Sequence, residues 1–202
     1  AGDARYLQGV LPRQDPLEVT RITGVLLSLA IVWIYGLLDD RYRLPAWSHF
    51  LALILASLVA IAFKVFVEVF NNPFTDLQVK VDWYLMVPLT VVWLAGMAST
   101  VNVVDGVDGL ATGVTAIAAL ILCIHMVRLE QHTVALLPLA LVGCCLGFLP
   151  YNVFRARIIL GGGAFVLGFA LGTLSIVSGA KVATALLVIW MPLLDIVWQL
   201  YC

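Results

Sequence analysis

Two clusters of carboxylates hold most of the chemistry visible in the chain. The first is Asn102-Val-Val-Asp105-Gly-Val-Asp108-Gly-Leu-Ala-Thr-Gly113, which packs two aspartates, an amide and three glycines between long apolar runs. The second is Asp39-Asp40, which closes another apolar run after Gly36-Leu-Leu. Carboxylates beside a membrane span are costly, so they point to a site where a cation or polar substrate is handled. Adjacent carboxylates such as Asp39 and Asp40 repel and ionise together most easily near a cation or an arginine, and Arg41 and Arg43 follow directly. Asp105 and Asp108 would share a face if helical. Gly106 and Gly109 instead favour a tight turn whose backbone N–H groups are free to meet phosphate, with a helix N-terminus from Leu110 onward adding its dipole. Carboxylates, amides and a divalent cation together suit phosphate chemistry. Magnesium fits best, because it takes few carboxylates, keeps waters and binds substrate phosphates. Two structural readings stand beside this one: a solvated, salt-bridged helix end at Asp39-Asp40, and turn aspartates that merely cap a helix at Asp105 and Asp108.

The elements that must position these groups are membrane helices. Of 202 residues, 63% are hydrophobic and 11% charged, against about half apolar and a quarter charged in a soluble domain. Seven apolar runs approach the roughly 20 residues that span a bilayer. They lie at about 22–38, 47–70, 84–101, 110–127, 134–150, 163–178 and 181–200. Their length and lack of alternation favour helices over barrel strands. The fold class is therefore all-α, a polytopic integral membrane helix bundle of about seven transmembrane helices. A polar segment at 1–21 precedes a transmembrane domain at 22–202. Ala1 and Cys202 both read as cuts, which makes the chain a fragment of a longer protein. Ala164, Gly168 and Gly172 recur at four-residue spacing in the sixth run and permit close helix packing.

If each run crosses once, the connections at 39–46, 102–109 and 151–162 share one side, and every acidic or glycine-rich motif falls there. Those at 71–83, 128–133 and 179–180 share the other, with a surface turn at Asn71-Asn-Pro-Phe-Thr-Asp76. The motif-side loops hold Arg41, Arg43, Arg155 and Arg157 against Lys80, Arg128 and Lys181 opposite, a slight bias towards a cytoplasmic motif side. Scattered basic residues without a stripe give no sign of nucleic-acid binding.

The remaining polar residues are less informative. Arg155 and Arg157 could bind a diphosphate as planar donors or anchor to anionic lipid headgroups. Lys64 and Glu68 lie four apart in the second run and could pair on one helix face. His49, His125 and His132 show no ligand spacing, and none stands out as a ligand or base; only His49 lies on the motif side. Asp195 sits near the motif-side end of the last run. Cys123, Cys144, Cys145 and Cys202 lack metal spacing and read as free buried thiols.

Together, Gly36-Leu-Leu-Asp39-Asp40, Asn102-Val-Val-Asp105-Gly-Val-Asp108-Gly, Phe148-Leu-Pro-Tyr-Asn152 and Ala156-Arg-Ile-Ile-Leu-Gly161, followed by Phe165-Val-Leu-Gly-Phe169, resemble the polyprenyl-phosphate N-acetylhexosamine-1-phosphate transferases. The likeness runs from about residue 22 to 200 in the family's order. It implies a larger protein of about ten or eleven helices in the plasma membrane, with its active site on the cytoplasmic face. A UDP-amino sugar, UDP-N-acetylglucosamine by the closer branch, would donate its sugar phosphate to a polyprenyl phosphate, with magnesium or manganese as cofactor. By position, Asp39, Asp40, Asp105 and Asp108 would be the catalytic and metal-binding carboxylates. Asn102, Gly106, Gly109, Asn152, Arg155 and Arg157 would bind substrate. The other implied partners are membrane lipids and, as in many relatives, a second copy in a homodimer, although no interface is readable.

One departure strikes the chemistry itself. The family has an aspartate, a metal ligand, after the glycine that matches Gly161, and here Gly161-Gly-Gly-Ala164 is one residue shorter without it. Either the chain is a homologue that binds nucleotide sugar or lipid carrier without catalysing, or a residue is lost from the recorded sequence. The intact flanking motifs favour the second. A transporter is the third reading, disfavoured because polar clusters at one membrane face are not the midplane sites transporters use.

Overall fold

In the computed structural model, residues 17–67, 69–71, 78–80, 83–153 and 155–178 are described. They form six helices: α1 (Glu18–Tyr42), α2 (Ala46–Ala62), α3 (Trp83–Val104), α4 (Leu110–Arg128), α5 (His132–Asn152) and α6 (Gly163–Ser178). Four of them, α1, α3, α4 and α5, are long and apolar enough to cross a membrane. The fold is the expected membrane helix bundle. The seventh run, at 181–200, lies outside the described residues, as do Asp195 and Cys202.

Two expectations need correction, the length of the second run and the burial of every cysteine. The second run does not stay helical to residue 70, because α2 ends at Ala62 and the chain turns through Phe63 and Lys64, where Lys64 takes a left-handed φ of 65°. A short antiparallel pair follows, β1 (Val69–Asn71) with β2 (Gln78–Lys80), in which Phe70 faces Val79. Strand pairing satisfies backbone groups that the apolar composition of 63–70 alone does not assign. Lys64 is therefore past the helix end and shares no helical face with residue 68, which lies outside the described residues. So does most of the turn expected at 71–76. At the other end, α1 begins at Glu18, four residues ahead of the apolar run, with an acidic residue in its first turn that complements the helix dipole. Of the described cysteines, Cys123 and Cys145 are buried but Cys144 is exposed.

Helix α6 is the hub. It packs against α1, α3, α4 and α5, and nearly every residue from Ala164 to Ser178 is buried. Apolar burial gives helices little reason to associate in lipid, so close backbone approach and interhelical hydrogen bonds take over. The expected small-residue stripe supplies the approach. A Cβ added at Gly168 would lie 2.5 Å from the Met97 carbonyl oxygen and 2.7 Å from Ala98 Cα of α3. Trp93 Nε1 donates to Ser175 Oγ across the same interface at 3.1 Å. Large side chains on the opposite faces, such as Trp33, Leu37 and Leu146, are exposed where lipid would lie.

Candidate functional site

The corners that join α1 to α2, α3 to α4 and α5 to α6 meet at one end of the bundle, as the alternation of spans requires. Each is shaped by local chain chemistry. Helix α1 stops at Arg43, which turns left-handed (φ 49°) and donates its N–H to the Asp39 carbonyl before Pro45 opens α2. Helix α3 ends at Val104, and the Asp105–Gly109 stretch turns tightly, so Asp105 and Asp108 belong to a turn rather than to a shared helix face. Gly109 takes φ 76° as the residue preceding α4, a conformation glycine adopts at little steric cost.

The polar groups of these corners are tied to one another. Gly162 N–H donates to Oδ1 of Asp40 at 2.9 Å. The backbone of the neighbouring Gly161 lies close enough to the Asp105 carboxylate to favour its charged form. Two aspartates from different corners thus flank one Gly-Gly dipeptide. Side chains are excluded there. A Cβ on Gly161, whose φ is 55°, would lie 2.8 Å from Asp40 Oδ1, and one on Gly162 would lie 2.6 Å from Gly36 Cα. Burial, opposed by the Gly161 amide and assisted by the nearby Asp108 charge, raises the pKa of Asp105 above the ordinary carboxylate value.

Further out, Asp108 Oδ2 accepts the Ala156 N–H at 3.1 Å. Asn152 is 3% exposed and makes three hydrogen bonds within the protein. Its Oδ1 accepts from Gly109 N–H (3.2 Å) and Thr112 Oγ1 (2.9 Å), and its Nδ2 donates to the Ile158 carbonyl (3.1 Å). It thus holds two corners together from inside, where a ligand has little access to its amide. Asn102 is half-buried, Gly106 is exposed, and Arg41, Arg43, Arg155 and Arg157 are exposed around the same end. Arg155 holds a left-handed φ of 63°.

The four aspartates do not gather into one cluster. Asp39 turns away from the Gly-Gly dipeptide, its Oδ1 accepting Leu44 N–H and its Oδ2 lying 3.0 Å from Nε2 of His49. Asp108 faces residue 156. Among the described residues, no three His, Cys, Asp or Glu side chains come together in a group able to hold a metal ion. Nothing in its spacing singles out His49 beyond its side of the membrane; its partner lies ten residues back, across a helix corner.

Carboxylates, glycine amides and arginines assembled at one end of an apolar bundle define a multi-pass membrane protein with a polar site at the lipid boundary. The chain belongs to glycosyl transferase family 4, which its residues 22–179 match. It is 30% identical over 166 residues to the probable undecaprenyl-phosphate N-acetylglucosaminyl 1-phosphate transferase of Bacillus subtilis, covering 82% of this chain and 46% of that protein. It is also 30% identical to the decaprenyl-phosphate N-acetylglucosaminephosphotransferase of Mycolicibacterium smegmatis (81% and 43%). To the phospho-N-acetylmuramoyl-pentapeptide-transferase of Listeria monocytogenes it is 32% identical (79% and 53%). The chain spans about half the length of these curated relatives.

Proposed function

We propose that the whole protein carrying this chain transfers an N-acetylhexosamine-1-phosphate, from UDP-N-acetylglucosamine, to a polyprenyl phosphate in the plasma membrane. A phosphate oxygen of the lipid attacks the phosphorus that bears the sugar, the pyrophosphate bridge breaks, and UMP leaves with the bridging oxygen. The observation that carries this reading is the convergence of Asp40 and Asp105 from separate corners at the Gly161-Gly162 dipeptide, Asp40 bonded to the Gly162 amide and Asp105 beside Gly161, at one end of the bundle. The printed activities of the relatives supply the substrate class.

The donor chemistry fits magnesium. Asp40 and Asp105 are hard oxygen donors with lone pairs beyond those their amide partners use, and magnesium needs only one or two carboxylates besides water and phosphate. When bound, it would neutralise charge between the two phosphate groups. The protein's own part is positioning, which with electrostatics supplies most phosphoryl-transfer catalysis. The Gly162 amide fixes the Asp40 carboxylate, Asn152 fixes the turn that carries Asp108, and the exposed arginines offer planar donors to phosphate. Arg41, Arg43, Arg155 and Arg157 also support a cytoplasmic orientation of this end.

A glycine amide bonded to Asp40 where the family pattern has a further carboxylate favours a second reading, a homologue that binds without turnover. The test is UMP release by the whole protein in lipid vesicles containing undecaprenyl phosphate, with magnesium present or chelated. Magnesium-dependent UMP from UDP-N-acetylglucosamine is expected, falling by roughly 10²–10³-fold in Asp40→Asn or Asp105→Asn. No UMP from any UDP-amino sugar sinks the transferase reading, and binding of the sugar nucleotide in that case would establish the second.

A further inference from the structure

His49 is the one histidine at the site end of the bundle, and its ring is held on every side that the contacts describe. The edge of Tyr35 from α1 meets it at 5.4 Å between centroids and 74° between planes. Phe165 from α6 lies at 5.0 Å and 36°. The preceding residue, Ser48, shares a 2.7 Å hydrogen bond with the Tyr35 hydroxyl and donates to the Pro45 carbonyl. Three helices therefore set the direction in which the imidazole points, and it points at Asp39.

The contact has a defined sense. An ionised carboxylate can only accept, so Nε2 must carry the proton and donate to Oδ2. The other oxygen is held by Leu44 N–H. Both atoms of the Asp39 carboxylate are thereby fixed from the α1–α2 corner. Each side chain of the pair is only 20% exposed, so the bond is better shielded from water than an ordinary surface ion pair. Asp40 follows in the same helical turn and is tied to Gly162. His49 touches Phe165 three residues beyond that glycine, so it braces the α1 end against the loop that meets Asp40.

We propose that His49 is a positioning residue of the transfer site, fixing the Asp39 carboxylate through Nε2 and, with it, the α1 terminus from which Asp40 reaches the Gly162 amide. The proposal rests on the transferase reading above. A simple corner staple would stabilise the fold and leave turnover per folded molecule unchanged. A positioning residue would lower kcat at a constant fold, since a displacement of about 1 Å in a reacting site can cost about 100-fold.

The test uses the whole protein in vesicles and reads UMP release together with thermal unfolding. His49→Phe keeps a ring for Tyr35 and Phe165 but removes the donor. Its kcat should fall by about 10- to 100-fold, with KM for the sugar nucleotide within about twofold and the unfolding temperature unchanged. His49→Gln returns an amide Nε2 and should recover most of the lost kcat. Wild-type kcat in His49→Phe overturns the proposal, as does an equal loss in both variants. A wild-type protein that is itself silent refutes the transferase reading instead. Nitrogen-15 histidine spectra give a check that needs no turnover: His49 should be the Nε2-protonated tautomer, and its signal should move in Asp39→Asn. An unmoved signal overturns the contact.

Discussion

Replacing Asn152 by alanine would remove three hydrogen bonds from a side chain that is 3% exposed. The orientation of the amide follows from its partners: Oδ1 faces two donors, Gly109 N–H and Thr112 Oγ1, and Nδ2 faces the Ile158 carbonyl. Each bond contributes about 0.5–1.5 kcal/mol net, and a buried partner left unpaired costs about 1–3 kcal/mol. The partners differ in how they recover. Thr112 can turn its hydroxyl to a carbonyl of the preceding helical turn, and the Ile158 carbonyl belongs to an exposed residue that water reaches. Gly109 is half-buried, and its N–H, fixed in the backbone, is the partner with the most to lose. The loss should be about 2–3 kcal/mol, near the upper part of the ordinary range for a single substitution.

Reversible unfolding in detergent micelles measures the total, and amide hydrogen exchange locates it. The Gly109 amide should exchange at least about 30-fold faster, since each 1.36 kcal/mol corresponds to a factor of ten. Asn152→Asp keeps an oxygen for Gly109 and Thr112 but turns a second one on the Ile158 carbonyl. It should loosen the 153–158 stretch while Gly109 stays protected. Leu146→Ala, on the lipid-facing side of the same helix, should stay within about 0.5 kcal/mol. If Asn152→Ala also stays within that margin and Gly109 keeps its protection, the role of Asn152 as the tie between corners is refuted.

Two further predictions concern charge and backbone approach. The folded-state pKa of Asp105 is raised from 3.8, so the folded protein binds more protons than the unfolded chain between that value and the raised one. Stability should therefore fall as pH rises through this window and level off above it; unfolding of Asp105→Asn across the same range should show a shallower decline, and an identical slope would count against the assignment. For the glycines, Gly162→Ala would set a Cβ 2.6 Å from Gly36 Cα, whereas Gly143 has nothing within 4 Å. Gly162→Ala should destabilise by about 1–3 kcal/mol and Gly143→Ala should be neutral or stabilising by about 0.4–1 kcal/mol, as denaturation in micelles would show; similar values for both would contradict the packing.

Much of this arrangement can be read in the sequence because lipid leaves a chain few options. Apolar runs marked α1, α3, α4 and α5 closely, since a span must satisfy its own backbone hydrogen bonds. Alternation of spans then placed three motif-bearing corners together, and the bonds from Asp40 to Gly162 and Asp108 to Ala156 connect them. Composition failed where it could not distinguish helix from other apolar structure, as at Phe63–Val67 beyond α2. It also could not rank polar residues by access. Asn152 looks like a ligand-facing amide in a motif, yet its partners are all within the protein. His49 offered no spacing signal, because its contact depends on how Pro45 and Arg43 fold the corner between it and Asp39.

The bond between Asp40 and Gly162 joins residues 122 positions apart. At about 5–20 residues per second of synthesis, the glycine emerges roughly 6–24 s after the aspartate. Helices α1 to α5 are made before it, so the α1 end must wait beside them without the amide that finally holds it. The bond between these corners therefore cannot form until the chain that leads into α6 has been made, after the other described helices. A lesion that slows or misplaces that helix would leave a protein that inserts without the bond between Asp40 and Gly162.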